Sequence, residues 1–237
     1  MKLDPRHEWG LTPAEARDLQ RKLAAEVITH GPLDVPTILE GGIIAAVDAS
    51  FDRGGTEIYA AVVVVRMPTF ELVERTGVSA PLTFPYVPGL LSFREAPSVL
   101  SAFERISAVP DVVLCDGQGT AHPRRLGIAS HLGLWLNLPT VGCGKSRLCG
   151  DFVEPGPRRG ERSPLVDKGE TIGAVVRTRD RVSPLFVSPG HLCDLDEAVA
   201  LVLGTTGKLR LPTPTRMAHE YVNEVRRAAK LGRPIPE

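Results

Sequence analysis

The sequence predicts a mixed α/β fold around one sheet flanked by helices, with residues 1–237 forming a single domain. Two observations predict it. Three apolar runs, GGIIAAVDASFD, IYAAVVVVRM and FELVERTGV, follow one another across tight turns, the pattern of an antiparallel meander. After them, helix-like and strand-like segments alternate to the end of the chain.

TPAEARDLQRKLAAEVI opens a helix: Thr12 is a suitable cap, Pro13 stands at the first helical position and Glu15 completes a capping box. Its apolar residues Leu19, Leu23, Ala24, Val27 and Ile28 share one face. Residues 31–42 read as a Gly/Pro connection. The turn DRGGTE, with Gly54 and Gly55 free to take positive φ, separates the first two strands. PSVLSAFERIS predicts a helix starting near Pro97 and Ser98. DVVLCDGQG is a fourth strand running into a glycine-rich turn, RRLGIASHLGLWLN a helix, and PTVGCGKSRL a strand and loop. ETIGAVVRT and SPLFVSP form a strand pair, and residues 154–164 a mobile loop. DLDEAVALVLG is a helix ended by Gly204, and PTRMAHEYVNEVRRAAKLG a final amphipathic helix stopped by Gly232 and Pro234.

Composition narrows the class. No apolar run approaches the roughly 20 residues that span a bilayer, so no membrane segment is expected. MKLDPRHEWGL has no apolar core of a secretion signal, and the expected location is the cytoplasm. Cys115, Cys143, Cys149 and Cys193 match no zinc spacing and read as reduced thiols. Net charge is zero, which taken alone speaks against a polyanionic partner. Its distribution speaks the other way: residues 1–120 hold 10 basic and 16 acidic side chains, residues 121–237 hold 18 and 12. An acidic half joined to a basic half suits a metal-dependent enzyme acting on a polyanion, as well as plain chance clustering.

Asp48 interrupts IIAAVDASF, and Asp116 ends VVLCDGQG where an apolar strand opens into glycines. Either acid alone could cap a turn. Two acids on two apolar strands point instead to a hard cation such as Mg²⁺, because a buried charge needs a partner. Glu95, taken alone, is a surface acid at a helix start. Lys145 in GCGKSRL can meet a phosphate or simply be solvated, and GCGKS is not a nucleotide-binding P-loop. His122, beside Arg124 and Arg125, suits phosphate contact, His191 the capping of a turn, and His219 either a structural or a site role. The missing G-x-S-x-G and G-x-G-x-x-G patterns exclude a serine-elbow hydrolase and a Rossmann dinucleotide site.

FPYVPGLLSFRE, residues 84–95, is too apolar for an ordinary surface loop. Together with VDASF, CDGQGTAHPRRLGIASHLG, GKSRLCG, FVSPGHLCD and PTRMAHEY, in this order, it makes the chain resemble the endonuclease V family. The resemblance implies a ribonuclease H-like fold with a five-stranded mixed sheet, and a Mg²⁺-dependent endonuclease in which Mn²⁺ substitutes. It implies DNA containing deoxyinosine as substrate, with inosine-containing RNA as the alternative, and cleavage of the second phosphodiester bond 3′ to the hypoxanthine; a monomer is the expected state. Carried onto this chain, Asp48, Asp116 and Glu95 would hold the metal. Lys145 would polarise the phosphate or water, and His219 would lie near the metal. Pro85, Tyr86, Val87 and Pro88 would form a wedge filling the gap left by the extruded base. Gly89, Leu91, Gly117 and Ile128 would wall the base pocket, and His122 would touch the substrate backbone. Two departures are Gly144, where alanine is usual, and Cys149, where tyrosine is common.

Overall fold

The computed structural model describes residues 1–31 and 33–236. Helix α1 spans Pro13–Ala24 and starts as expected: the Thr12 hydroxyl accepts from the Glu15 N–H while the Glu15 carboxylate accepts from the Thr12 N–H at 2.8 Å. It stops before Val27 and Ile28, so its buried side is Ala16, Gln20 and Leu23. The expected connection at 31–42 contains a helix, α2 (Val35–Gly41), capped by Asp34, whose carboxylate accepts from the Thr37 N–H at 3.2 Å. Proline in the first turn gives up only an N–H that has no helical partner, so it did not exclude a helix there. Pro32, in the same connection, lies outside the described residues.

The meander is β1 (Ile43–Phe51), β2 (Glu57–Arg66) and β3 (Glu71–Pro81), each antiparallel to the next. Asp52 closes the first turn, accepting from the N–H groups of Gly54, Thr56 and Glu57. Helix α3 (Leu91–Glu104) begins six residues before Pro97, which lies inside it. Burial of Phe93, Ala96, Val99, Leu100 and Phe103 on the sheet outweighs the hydrogen bond that the proline forfeits. There follow β4 (Val112–Cys115), α4 (Ile128–Leu136) and β5 (Thr140–Gly144), then β6 (Arg162–Asp167), β7 (Glu170–Val176) and β8 (Leu185–His191), and last α5 (Leu195–Thr205) and α6 (Thr213–Lys230). Gly204 does not end α5 but lies within it, since a Cβ there would fall 2.3 Å from a Leu39 methyl of α2. The stop at Gly232 holds, with φ +60° just beyond α6.

Among the described residues eight strands form one sheet, in the order β3-β2-β1-β4-β5-β8-β7-β6. The first five are the expected mixed core, with β4 and β5 parallel to β1. The expected number of strands was too low, because β5 would otherwise end the sheet with an unpaired edge and β8 covers it antiparallel. Strand β6 opens inside the segment expected to be a mobile loop, whose remainder is fastened by Arg177: its guanidinium donates to the carbonyls of Pro155, Gly156 and Val182 and to Glu154. Helices α2, α5 and α6 cover one face, packing on Ile44, Ala46 and Leu114. On the other face α3 and α4 pack on Ala45, Val47, Val113 and Cys115. The four cysteines are free thiols. Among the described residues no helix is long and apolar enough to cross a membrane.

Candidate active site

Strand register creates the site. Val47 of β1 aligns with Cys115 of the parallel strand β4, so the next residues, Asp48 and Asp116, lie side by side. On the third parallel strand, β5, Cys115 aligns with Gly142, and Lys145 follows the strand's last residue. The Lys145 amine donates to the Asp116 carboxylate. Along β1, residues 44, 46 and 48 point toward the face covered by α6, and His219 on that helix reaches Asp48, Nδ1 to Oδ2, at 2.7 Å. Asn223, one turn on, donates to the His219 carbonyl at 2.7 Å and approaches Nε2 at 3.3 Å, which leaves the Nδ1 hydrogen for Asp48.

Glu95 comes from the opposite face on α3. It is not a surface acid but 9% exposed. Burial first, then the charges of Asp48 and Asp116, push its pKa up to about 8, with Arg94 opposing. Asp48 is also held above its ordinary range, by burial and then by Asp116, against the pull of His219 and Lys145. Burial lowers the Lys145 pKa, but the bond to Asp116 and the charges of both aspartates outweigh it and the amine ends above its usual value. The carboxyl groups thus disfavour one another's charge, partly offset by the Lys145 amine.

As they stand, no three of the described His, Cys, Asp and Glu side chains converge closely enough to hold a metal by themselves. The donor chemistry still fits a hard divalent ion: Mg²⁺ takes oxygen ligands, keeps several waters and substrate oxygens, and does not need three carboxylates already converged. Burial chiefly, and the aspartates after it, favour the protonated form of Glu95, and a cation would relieve the aspartates' share.

Beside the acids opens a cavity of about 380 Å³, whose wall includes Asp116 and Lys145 themselves. Gly89, Leu91, Gly117 and Ile128 line it, and Tyr86, Val87 and Pro88 form its rim. Tyr86 is 73% exposed, its loop anchored by the buried Phe84 against Phe93 at 5.8 Å. Pro85 is exposed beside it. Gly117 leaves room for Ile128, whose methyl would stand 2.6 Å from a Cβ there. Gly89, at φ +77°, turns its carbonyl inward to accept three hydrogen bonds, from Gln20 Nε2 and His122 Nε2 at 3.0 Å each and from Arg124 at 2.7 Å.

His122 therefore differs from its expected place. It is 3% exposed, its Nδ1 accepts from the Arg124 N–H, and burial followed by the Arg124 charge lowers its pKa to about 4. With both nitrogens used, it braces the Gly89 turn and has none free for a phosphate. Arg125 is likewise taken, by Asp167 and Glu170. His191, expected at a turn, ends strand β8 and accepts from the Ile28 N–H at 3.2 Å.

Several site residues escaped the sequence. Gln118 donates to the Ser146 carbonyl at 3.0 Å and Arg210 to the Lys145 carbonyl at 2.8 Å, so both hold the lysine loop. Gly144 lets the Gln118 amide lie where a Cβ would be 2.1 Å from its nitrogen. Only the closeness of Gln118 to Asp116 in DGQG hinted at this. Ser92, on the cavity wall, and His131 behind it gave no signal, because each sits singly in an apolar helix.

Two carboxylates side by side where the parallel pairing of β1 and β4 ends, with a lysine and a histidine on them and a cavity alongside, form in this mixed α/β fold a site suited to metal-assisted hydrolysis. The endonuclease V family model matches residues 21–220. The endonuclease V of Gloeobacter violaceus is 49% identical over 229 residues, covering 94% of this chain and 89% of that protein. The crystal structure of endonuclease V from Streptomyces avermitilis superposes with a TM-score of 0.86 at 38% identity, covering 98% of this chain and 99% of that one. Ciona intestinalis endonuclease V, in complex with DNA containing an inosine followed by a ribo-adenosine, gives a TM-score of 0.77 at 25% identity, covering 93% of this chain and 100% of that one. The chain belongs to the endonuclease V family.

Proposed function

We propose that this protein is a DNA endonuclease that takes an extruded hypoxanthine into the cavity and hydrolyses the second phosphodiester bond on its 3′ side. The products are a 3′-hydroxyl and a 5′-phosphate. One observation carries the reading: Asp116 and Lys145 belong both to the cavity wall and to the carboxylate cluster, so base recognition and backbone chemistry share residues. The inosine-containing DNA bound by the Ciona relative supports the same substrate.

Asp48, Asp116 and Glu95 would hold Mg²⁺, which when bound supplies Lewis acidity at the phosphate and an activated water. Lys145, tethered at its carbonyl by Arg210, brings a positive charge to the phosphate as negative charge grows there. His219 orients Asp48. Tyr86, exposed and set between two prolines that fix their own φ, stacks where the base was removed. Leu91 and Ile128 shield the flipped base from water.

Strand-mapped cleavage of a deoxyinosine duplex, with Mg²⁺, with Mn²⁺ and with chelator, tests the reading. Inosine RNA and undamaged DNA run alongside. A metal-dependent nick immediately 3′ to the lesion's 3′ neighbour is expected. Faster cleavage of inosine RNA would transfer the activity to RNA, and equal cleavage of undamaged DNA would refute it.

A further inference from the structure

Behind the cavity runs a chain of three side chains from the N-terminal arm to the cavity wall. His7 Nε2 lies 2.8 Å from His131 Nε2, and His131 Nδ1 lies 3.0 Å from the Ser92 hydroxyl. Trp9, Phe93 and Trp135 enclose the two rings, and Ser92 lines the cavity in the first turn of α3.

Hydrogen counting fixes every direction along this chain. The Glu8 carbonyl, 2.9 Å from His7 Nδ1, can only accept, so Nδ1 carries a hydrogen. Both rings are neutral near pH 7: burial lowers His7, and burial with the His7 charge lowers His131 to about 3. His7 Nε2 is then a bare lone pair, consistent with the Trp135 N–H aimed at it from 3.4 Å. His131 must donate to it through Nε2, which leaves His131 Nδ1 bare as well. The Ser92 hydroxyl therefore donates to His131. A serine has one hydrogen, so only lone pairs remain for the cavity.

We propose that Ser92 is a specificity-determining residue, an obligate acceptor at the base cavity that selects a base presenting an N–H on its pairing edge. Resting on the hypoxanthine reading above, it explains rejection of the undamaged base. Hypoxanthine is a 6-oxopurine and carries hydrogen on N1. Adenine has a lone pair at N1, which would face the lone pairs of Ser92 with no hydrogen between them. An unmade bond of this kind discriminates strongly, because both polar groups have left water.

The test is binding by fluorescence anisotropy without metal, using duplexes that carry inosine, adenine or nebularine at one position. Nebularine is a purine with a lone pair at N1. Wild-type protein binds inosine most tightly. Ser92→Ala loses roughly tenfold in affinity for inosine, the value of one hydrogen bond, and nothing for nebularine. His7→Phe keeps the aromatic packing but removes the acceptor for His131. The His131 hydrogen then moves to Nδ1, Ser92 accepts it and turns its own hydrogen to the cavity. The inosine-to-nebularine ratio falls although His7 does not line the cavity. Equal weakening of both ligands by Ser92→Ala, or a wild-type ratio in a folded His7→Phe protein, overturns the assignment of Ser92 alone. Wild-type protein that binds inosine no better than adenine overturns the base-cavity reading and the filter with it.

Discussion

His219 Nδ1 stands 2.7 Å from Asp48 Oδ2, although 171 residues separate them in the chain. Strand β1 and helix α6 exist in this respect to bring a base to a buried acid. The acid is strained electrostatically: burial and Asp116 both disfavour its charge. Asp48→Asn removes that charge while keeping the shape. The melting temperature should stay level or rise, since function and not stability retains the acid. Nicking of an inosine duplex should fall by more than roughly 100-fold, the upper cost of losing even an outer partner of a metal ligand, because here a carboxylate that would hold the metal is lost. Single-turnover cleavage and calorimetry read the two effects, and wild-type turnover would remove Asp48 from the reaction.

Glu95 makes a prediction about metal. Burial and the two aspartates keep it protonated at pH 7. A divalent ion that neutralises the cluster removes the repulsion and lets Glu95 ionise. Mg²⁺ binding at pH 7 should therefore release up to about one proton per molecule, as metal binding generally does at protonated ligands. Calorimetric titration in two buffers of different ionisation enthalpy measures it. In Glu95→Gln the release should disappear, and undiminished release would locate the proton elsewhere.

Local chemistry was legible in the sequence, and pairing between distant segments was not. The Thr12–Glu15 box, the meander and the acids in apolar strands are short-range patterns, and all three recur in the structure. Gly204 misled because its cause is the distant Leu39, and Pro97 because packing on the sheet overrides its local preference. The β5–β8 pairing depends on an edge that no local pattern records. The three donors on the Gly89 carbonyl arrive from α1 and from the stretch before α4, brought together only by folding. The histidine chain behind Ser92 is invisible for the same reason.

Tyr86 should separate binding from chemistry. At 73% exposure it contributes little to the fold, and Tyr86→Ala should melt as the wild type does. Stacking on a base is worth about 1–3 kcal/mol, so affinity for an inosine duplex should drop roughly 5- to 150-fold. The cleavage rate at saturating DNA should change far less. Glu95→Ala should do the reverse. A matching loss of rate and affinity in Tyr86→Ala would make the segment a structural loop.

Acid should destabilise the protein through its buried histidines. His131 has its pKa lowered to about 3 and His122 to about 4, both chiefly by burial, against an ordinary 6.5. Below pH 6.5 the unfolded chain takes up protons that the folded chain refuses. Their stabilising contribution is thus fully present above 6.5 and is lost as the pH falls toward the folded values. Each group contributes a slope of up to about 1.4 kcal/mol per pH unit in that window. Glu95 acts the other way in metal-free protein: its raised pKa favours the fold at low pH and loses that contribution as pH climbs from its ordinary 4.5 through about 8. Total stability therefore mixes opposing slopes, and a difference isolates the histidine. Urea unfolding of wild type and His131→Phe at pH 7, 6 and 5 should show the variant less stable by an amount that shrinks toward acid, since phenylalanine has no proton to refuse. A difference that stays constant with pH would mean that His131 is not held neutral by the fold.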